Sequence, residues 1–527
     1  MKKSIVVLFP LFGLLLSGCN LIIRPNVFSS SNTSGDVSSD TSSTSSTSHE
    51  HGETATIDIY ATNDIHGHIY TDSEGCGVDK LMTYLYDQKQ NPNTLLLDQG
   101  DTWQGSIYSN YNHGACITDV MNFVHYDARS VGNHDFDWGP SYIAQNYQRE
   151  YNGYTTPVLA GNVYDYNFDT RVVGTTQQSQ LGGKSVTYTL PNGIKVGILG
   201  GIGSDQITSI NTLYVKNLIF KDHIAFIKEE ATHLRNDLHC DVVICSIHTG
   251  QNSVVGYNLA DYVDLVLCGH THDVETTNEG SLWYAQAGCN TEGVNHITLT
   301  YDFDQADVIN TSIDFISHSS IESAVTAINP TINNIINTYA DQCNAAANTV
   351  VASNVNGQFR SNGSLPNLMC RAIYDQCVSE GYGDVILTNV NVARADAPYY
   401  SWIYADLYEA FPFDNVVYIA EITGYELMNQ VNGRNYRYIN PNYTNREIQG
   451  TAKYKIAVID FLYFHTNSDR YFDYFSYTGG TSTKTLSKNY REILRDWLIS
   501  NGYDDGLELD YSDFVGGQYA KNQFTLV

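Results

Sequence analysis

Eight polar side chains that follow short apolar runs of the sequence are of the types that bind metal ions or transfer protons. Seven of them offer oxygen or nitrogen atoms to a divalent cation, three from Asp or Asn and four from His. One cation would leave most of these atoms unused, so the set predicts a site for two cations. The seven candidate ligands are Asp64, His66, Asp101, Asn133, His248, His270 and His272, and the eighth side chain is that of His134.

The apolar runs alternate with stretches of helical pattern, which predicts strands and helices around a largely parallel sheet. The ligand site of such a sheet lies beyond the carboxyl ends of its strands, so we expect the polar side chains to converge there. Two later runs, at 282–285 and 296–301, close the region without ligand-type residues after them. The runs that precede them are 57–61, 94–97, 128–131, 195–199, 242–247 and 263–267.

The net charge of the chain limits the kinds of ligand that it is expected to bind. It has 28 Lys and Arg against 57 Asp and Glu, a formal net charge of -29. Electrostatic wrapping of a nucleic-acid polymer is therefore not expected. An anionic substrate needs local positive charge, which bound metal ions supply where the average field of the protein does not.

The first residues have the pattern of an export signal, with two lysines before an apolar run too short to span a membrane. Leu16-Ser17-Gly18-Cys19 resembles the lipobox of bacterial lipoproteins, which implies a signal peptide at 1–18 and lipidation at Cys19. The alternatives are a plain signal peptide or a buried apolar N-terminus. Residues 19–53, rich in Ser and Thr, predict a disordered tether. We therefore expect an extracytoplasmic lipoprotein anchored to the cell membrane.

The remaining chain is predicted to have three parts. Residues 54–318 form a metal-binding domain, 319–350 a linker helix that Pro330 kinks or restarts, and 351–527 a second domain of mixed pattern. In the second domain we expect strands at 384–387 and 416–422 and helices around 366–378 and 492–500. The nine cysteines other than Cys19 are too few and too scattered for a disulfide framework, and no CxxC pair supports a thiolate zinc site.

Five short motifs in order and at characteristic spacing resemble those of calcineurin-like metallophosphoesterases, over about residues 54–304. The resemblance implies an α/β, four-layer sandwich of two mixed β-sheets flanked by helices. It also implies that Asp101 bridges two divalent metal ions of Zn, Mn, Fe or Co. The motifs are Asn63-Asp64-Ile65-His66-Gly67, Gly100-Asp101, Gly132-Asn133-His134-Asp135, His248 and Gly269-His270-Thr271-His272.

The same resemblance assigns a role to each of these residues. Asp64, His66 and His272 hold one metal ion. Asn133, His248 and His270 hold the other. His134 stabilises charge on the phosphoryl group or protonates the leaving oxygen, and Asp137 orients His134.

The second half of the chain resembles the nucleoside-binding domain of 5'-nucleotidases, a separate α+β domain, over about residues 354–474. Phe413 and Phe461 match the two aromatic residues that sandwich the base in that family. Arg360 and Arg394 match cationic partners of the substrate, with Asn389 nearby. Asp469, placed by its offset, matches a ligand of the ribose. The matching segments are Asn367-Leu368, Phe411-Pro412-Phe413-Asp414-Asn415, Ile422-Thr423-Gly424-Tyr425-Glu426-Leu427 and Tyr454-Lys455-Ile456-Ala457.

Two departures from the family leave the substrate open. Where the family has a run of glycines before its arginine, this chain has Asn389-Val390-Asn391-Val392-Ala393-Arg394, and its usual Gly-Gly-Asp-Gly loop is absent. The leading hypothesis is a nucleotide phosphohydrolase, a 5'-nucleotidase that releases phosphate from nucleoside monophosphates. A UDP-sugar hydrolase or 2',3'-cyclic nucleotide phosphodiesterase on the same core is the alternative, and a non-catalytic nucleotide-binding surface lipoprotein is a third hypothesis.

Overall fold

The computed structural model describes residues 52–165, 183–215, 218–432, 435–463, 484–520 and 523–527. Cys19, Asp469 and the predicted tether up to residue 51 lie outside these ranges. No helix within them is long and apolar enough to cross a membrane. The elements of the first part are β1 Thr54–Thr62, α1 Gly77–Gln88, β2 Thr94–Asp98, α2 Ile107–Asn110, α3 Ala115–Val124, β3 Ala128–Ser130, α4 Pro140–Tyr147, β4 Val158–Leu159, β5 Val163–Asp165, β6 Ser185–Thr189, β7 Lys195–Ile202, α5 Thr212–Val215, β8 Leu218–Phe220, α6 His223–Asn236, β9 Val242–His248, β10 Leu265–Leu267, β11 Val274–Glu279, β12 Leu282–Ala287, β13 Gly293–Asp302 and β14 Asp307–Ser317.

Two six-stranded sheets form a sandwich in this part of the chain. The first has the order β14-β13-β1-β2-β3-β4, in which β1 to β4 are parallel and β13 and β14 antiparallel. The second has the order β11-β12-β10-β9-β7-β6, with antiparallel strands at both edges. The expected parallel strands are present, as β1 to β4 and as β7, β9, β10 and β12. They belong to two mixed sheets, as the family resemblance implies, and not to one.

The core between the two sheets explains why the apolar runs are continuous. Ile57 and Ile59 of β1 lie in one buried cluster with Ile198 of β7 and Ile244 of β9. Other side chains of the same strands face the helices outside, so both faces of each central strand are apolar. A continuous run shows that a strand is buried but does not show to which sheet it belongs.

Two helices follow the sandwich, α7 His318–Ala324 and α8 Pro330–Ala347. The side chain of Asn329 accepts hydrogen bonds from the backbone N–H groups of Thr331 and Ile332, which satisfies the free donors at the start of α8. Pro330 is the first residue of α8, where its missing N–H costs nothing. The proline therefore restarts the helix instead of kinking it.

The C-terminal domain contains a five-stranded sheet of order β19-β16-β21-β18-β22 and a three-stranded sheet of order β17-β15-β23. The strand expected at 384–387 begins only at Leu387, because the buried residues before it belong to the turn that enters the sheet. The elements are β15 Val350–Asn356, α9 Ser364–Ser379, β16 Leu387–Val390, β17 Tyr400–Ile403, α10 Tyr404–Ala410, β18 Val416–Thr423, α11 Gly424–Asn432, β19 Tyr436–Ile439, β20 Glu447–Ile448, β21 Lys453–Ile459, α12 Asp460–Tyr463, β22 Lys484–Asn489, α13 Tyr490–Ser500, β23 Leu509–Asp510 and β24 Thr525–Leu526.

Candidate active site

The carboxyl ends of five strands, from both sheets, bring the seven candidate ligands together. Asp64, Asp101 and Asn133 follow β1, β2 and β3 of the first sheet, while the four histidines lie in the loop after β1, at the end of β9 and after β10. Six of the seven form two groups in which the ligand atoms lie within 4.8 Å of one another, Asp64 with His66 and His272, and Asp101 with His248 and His270. The first group has the members that the family resemblance implies. The second contains Asp101, which the resemblance assigns as the bridge, in the place of Asn133.

Asp101 and Asn133 connect the two groups. The Asp101 Oδ2 atom lies 3.3 Å from His248 Nε2 and 3.9 Å from His66 Nε2, so one carboxylate reaches a histidine of each group. Asn133 Oδ1 lies 2.9 Å from His270 Nδ1 and 3.1 Å from His248 Nε2. Asp101 thus lies between the two groups, and Asn133 lies against both histidines of the second group.

Backbone carbonyl groups orient two of the histidines. His66 Nδ1 lies 2.9 Å from the carbonyl oxygen of Gln104, and His248 Nδ1 lies 2.8 Å from that of Gln99. A carbonyl oxygen only accepts, so Nδ1 of each ring donates and carries the proton. The lone pair of each Nε2 is therefore directed into the site, as a metal ligand requires.

Two buried carboxylate oxygens indicate that the site fits metal ions. Asp64 Oδ1 and Asp101 Oδ2 are shielded from solvent and accept no hydrogen bond from the described residues. An anionic oxygen buried without a partner is costly, so positive charge is required at this place. Together with four imidazoles this donor set fits divalent cations that accept mixed nitrogen and oxygen ligands, and it does not choose among Zn, Mn, Fe and Co.

The pKa values of the histidines divide into two kinds. Burial lowers the pKa of His66 to about 3 and that of His270 to about 4, so both imidazoles are neutral and ready to bind a metal ion. Burial also opposes the charge of His248 and His272, but Asp101 raises the pKa of His248 to about 9 and Asp64 raises that of His272 to about 10. A metal ion at the site takes the place of these two protons.

The backbone around the site is in an uncommon conformation. Five of the seven candidate ligands have positive φ angles between 50° and 82°, a region that residues other than glycine rarely adopt. Such conformations cost of order 1 kcal/mol each and persist where surrounding structure holds them, typically at functional sites. The five residues are Asp64, His66, Asp101, His270 and His272.

His134 is held beside the ligands by two hydrogen bonds. Its backbone N–H donates to Asp101 Oδ1 at 2.7 Å, and its Nδ1 donates to Asp137 Oδ2 at 2.9 Å. Burial raises the pKa of Asp137, an effect that the nearby His134 opposes. Because Nδ1 is occupied, Nε2 of His134 is left for a substrate that enters the cavity.

A cavity of about 310 Å³ lies between the sandwich and the C-terminal domain and includes part of the metal site. From the sandwich it takes Asn133, His134, Asp137 and His270, and from the C-terminal domain the predicted Phe413, Phe461 and Arg394. The ring of Phe413 lies 5.2 Å from that of His134, and the Arg394 guanidinium lies 5.8 Å from the Phe413 ring.

Two predicted substrate residues are not at the cavity. The Arg360 side chain is exposed outside it, and Asn389 is fully buried within β16 and does not line it. Sequence reasoning also missed Asn211, Tyr214, Asp460 and Tyr490, which line the cavity. Asp460 directly precedes the predicted Phe461, which is a usable signal, whereas no motif marks the other three.

Comparison with known proteins shows what this part of the chain is similar to. Residues 57–274 match the family model of calcineurin-like phosphoesterases. The human 5'-nucleotidase is 30% identical over 236 residues, which are 41% of this chain and 38% of the human protein. The trifunctional nucleotide phosphoesterase protein YfkN of Bacillus subtilis is 22% identical over 409 residues, 70% of this chain and 27% of that protein.

The fold of the whole described chain is also found among solved structures. The 5'-nucleotidase precursor of Thermus thermophilus is similar with a TM-score of 0.68 at 18% identity, over 90% of this chain and 99% of that chain. The predicted architecture, a sandwich of two mixed sheets followed by an α+β domain, is therefore confirmed. The match to the human protein spans less than two fifths of that protein's length.

Proposed function

We propose that this chain, whose residues 57–274 form a calcineurin-like phosphoesterase domain, hydrolyses phosphate esters of nucleotides with two metal ions, foremost as a 5'-nucleotidase. The observation that carries the proposal is the position of the cavity. Its wall joins two ligands of the second group, Asn133 and His270, to the aromatic side chains Phe413 and Phe461. The residues that would act on the phosphate and those that would bind a flat base thus line the same cavity.

The residues that hold the metal ions are Asp64, His66 and His272 on one side, Asn133, His248 and His270 on the other, and Asp101 between them. When bound, the two ions supply positive charge for the phosphate and make an attacking water available near neutral pH. The carbonyl groups behind His66 and His248 fix these rings before the substrate arrives. Little reorganisation is then needed during the reaction.

His134 acts on the leaving group. Its Nδ1 is held by Asp137, so Nε2 donates a proton or a hydrogen bond to the ester oxygen that departs. The ring of Phe413 lies against His134, so a nucleoside that stacks on Phe413 is held beside that histidine. Arg394, over the same ring, attracts the anionic substrate into an acidic protein.

A substrate panel with and without a chelator tests the proposal. We expect hydrolysis of AMP that is lost with the chelator and restored by added Mn²⁺ or Zn²⁺. Faster hydrolysis of UDP-glucose or of 2',3'-cyclic AMP would favour the alternative activities on the same core, which the altered segment at 389–394 keeps open. Absence of hydrolysis across the panel with saturating metal would leave the non-catalytic, nucleotide-binding hypothesis.

We propose in addition that the protein is an extracytoplasmic lipoprotein anchored through Cys19. Support comes from the lysines, the apolar run and Leu16-Ser17-Gly18-Cys19, followed by the Ser- and Thr-rich segment. Incorporation of labelled palmitate into the wild type but not into Cys19→Ala is the expected result. Equal labelling of both proteins, or of neither, would contradict it.

A further inference from the structure

Arg491, the second residue of α13, has a guanidinium group buried directly behind the cavity. The residue is 1% exposed, and its Nη1 donates hydrogen bonds to the carbonyl oxygens of Phe411 and Phe413, each at 2.8 Å. Such a rigid, planar donor group fixes the geometry of the groups that it binds. Arg491 therefore holds the backbone on both sides of Pro412.

Two further partners compensate the buried charge. The Nη2 group of Arg491 pairs with the carboxylate of Asp414, and the ring of Tyr408 lies 3.5 Å from the guanidinium carbon. Burial of a charge is costly unless it is paired and hydrogen-bonded, so this arrangement orders its neighbours strongly. Asp414 also lines the cavity, and Arg491 is the cation that neutralises it.

The same segment is held from the opposite side by the sandwich. Asn110, the last residue of α2, donates from Nδ2 to the carbonyl oxygen of Pro412 at 2.8 Å. Three consecutive carbonyl groups, those of Phe411, Pro412 and Phe413, are thus bound by side chains instead of water. A cavity wall held in this way keeps the Phe413 ring in one place, next to His134.

We propose that Arg491 is a positioning residue for nucleotide recognition, which fixes Phe413 as a platform for the base and screens the carboxylate of Asp414 from the substrate phosphate. The inference rests on the proposed function, because it assumes that a nucleoside stacks on Phe413. Without Arg491, Phe413 loses its fixed position and Asp414 presents an unpaired negative charge to the cavity. The first change acts on the nucleoside, whereas the second acts on the phosphate that every substrate carries. The ratio of kcat/KM between two substrates therefore reports the first change.

Arg491→Met and Arg495→Met form a matched pair for the test. Arg495 lies one turn later on α13, with its guanidinium 5.0 Å from the ring of Tyr404 and paired with Asp496, and it does not line the cavity. We expect Arg491→Met to raise the KM for AMP and to lower the ratio of kcat/KM for AMP to that for p-nitrophenyl phosphate about tenfold. Arg495→Met should keep the wild-type ratio.

A double-mutant cycle with Phe413→Ala separates positioning from general stability. If Arg491 acts through Phe413, Arg491→Met changes the ratio little further once Phe413 has been removed. Arg491→Lys keeps the charge but not the planar donor group, so its ratio of kcat/KM for the two substrates should lie between those of the wild type and Arg491→Met. This variant replaces Arg491→Met in the test if the Met variant does not fold. Equal losses on both substrates, or full additivity with Phe413→Ala, would overturn the inference while the proposed function stands.

Binding separates a failure of the proposed function from a failure of this inference. If the wild type hydrolyses no phosphoester, calorimetric titration with AMP still reports on the platform. Weaker binding to Arg491→Met than to Arg495→Met would then support Arg491. Equal binding to the two variants, or no binding to the wild type, would reject it.

Discussion

The ring of Phe413 and the imidazole of His134 lie 5.2 Å apart at an angle of 30°, although they belong to different domains. Phe413 is predicted to stack on the base, and His134 is predicted to donate to the leaving oxygen. Their contact joins recognition and chemistry in a single wall of the cavity. Specificity for the nucleoside and the rate of phosphate release are therefore expected to depend on each other.

Phe413→Ala should raise the KM for nucleoside monophosphates by about tenfold, because a stacked ring contributes about 1–3 kcal/mol to binding of a base. The effect on KM for a small aryl phosphate should be smaller. Steady-state kinetics on both substrates measure the difference. Phe123→Ala is the matched control, since Phe123 of α3 is partly buried, packs against a buried cluster of the sandwich and stacks on Tyr86 at 5.1 Å. Equal effects of Phe413→Ala on both substrates would mean that Phe413 is ordinary core.

Asp101→Asn should lower kcat by about a thousandfold or more, because one oxygen that reaches both ligand groups loses its charge. The volume of the side chain is kept, so circular dichroism should show an intact fold. Elemental analysis should find fewer than two metal ions per chain. Turnover close to that of the wild type would rule out the bridging role.

Asp137→Asn should lower kcat by about 10- to 100-fold, because His134 loses the carboxylate that orients its ring. KM should change less, since Asp137 acts through His134. His233 and Asp237 form a comparable pair at 2.8 Å on the exposed face of α6. Asp237→Asn should therefore have no effect on kcat, and a similar loss in both variants would contradict the assignment.

Arg129→Met should lower the free energy of unfolding by about 3–5 kcal/mol, since it leaves the buried carboxylate of Asp135 without its cation. The Asp135 carboxylate also accepts hydrogen bonds from the N–H groups of Thr102 and Gly132. The loops that carry the candidate ligands Asp101 and Asn133 should therefore become less rigid. Urea denaturation measures the loss. Lys488→Met breaks the partly exposed pair with Asp496 and should cost only about 1 kcal/mol or less.

Removal of metal should lower the thermal midpoint of the wild type. The buried carboxylates of Asp101 and Asp64 then have only His248 and His272, at 3.3 and 3.5 Å, as cationic neighbours in place of two divalent ions. Metal at about a hundred times its Kd should stabilise the fold by about 2.7 kcal/mol. Differential scanning calorimetry with and without a chelator measures this, and the shift should shrink in Asp101→Asn. An unchanged midpoint in the wild type would argue against metal binding at this site.

The metal site could be predicted from sequence because each ligand directly follows an apolar run. Strand ends determine where such residues lie, so seven positions spread over two hundred residues converge without knowledge of the sheet order. The substrate side was harder to predict. Arg360 and Asn389 were assigned by family position, yet the first is exposed and the second is buried in β16. The segment 389–394 lacks the glycines of the family motif, so the position of Asn389 in the motif was a weak guide to its position in space.

The contacts that hold the segment 411–413 could not be predicted from the sequence. Asn110 and Arg491 bind adjacent carbonyl groups of one segment, but they are far apart in the chain and belong to no motif. The local sequence does not distinguish a buried arginine from an exposed one. The apolar pattern alone also did not give the number of sheets, since a strand buried on both faces has the same pattern in either sheet. The family resemblance supplied that number.

The left-handed backbone at five ligand positions has a consequence for attempts to transplant this chemistry. A peptide that carried only the five motifs would relax to ordinary conformations and turn its side chains away from one another. Metal affinity is thus a property of the rigid frame below the loops as much as of the ligands. Grafting onto another scaffold would succeed only where strand ends impose the same unusual angles.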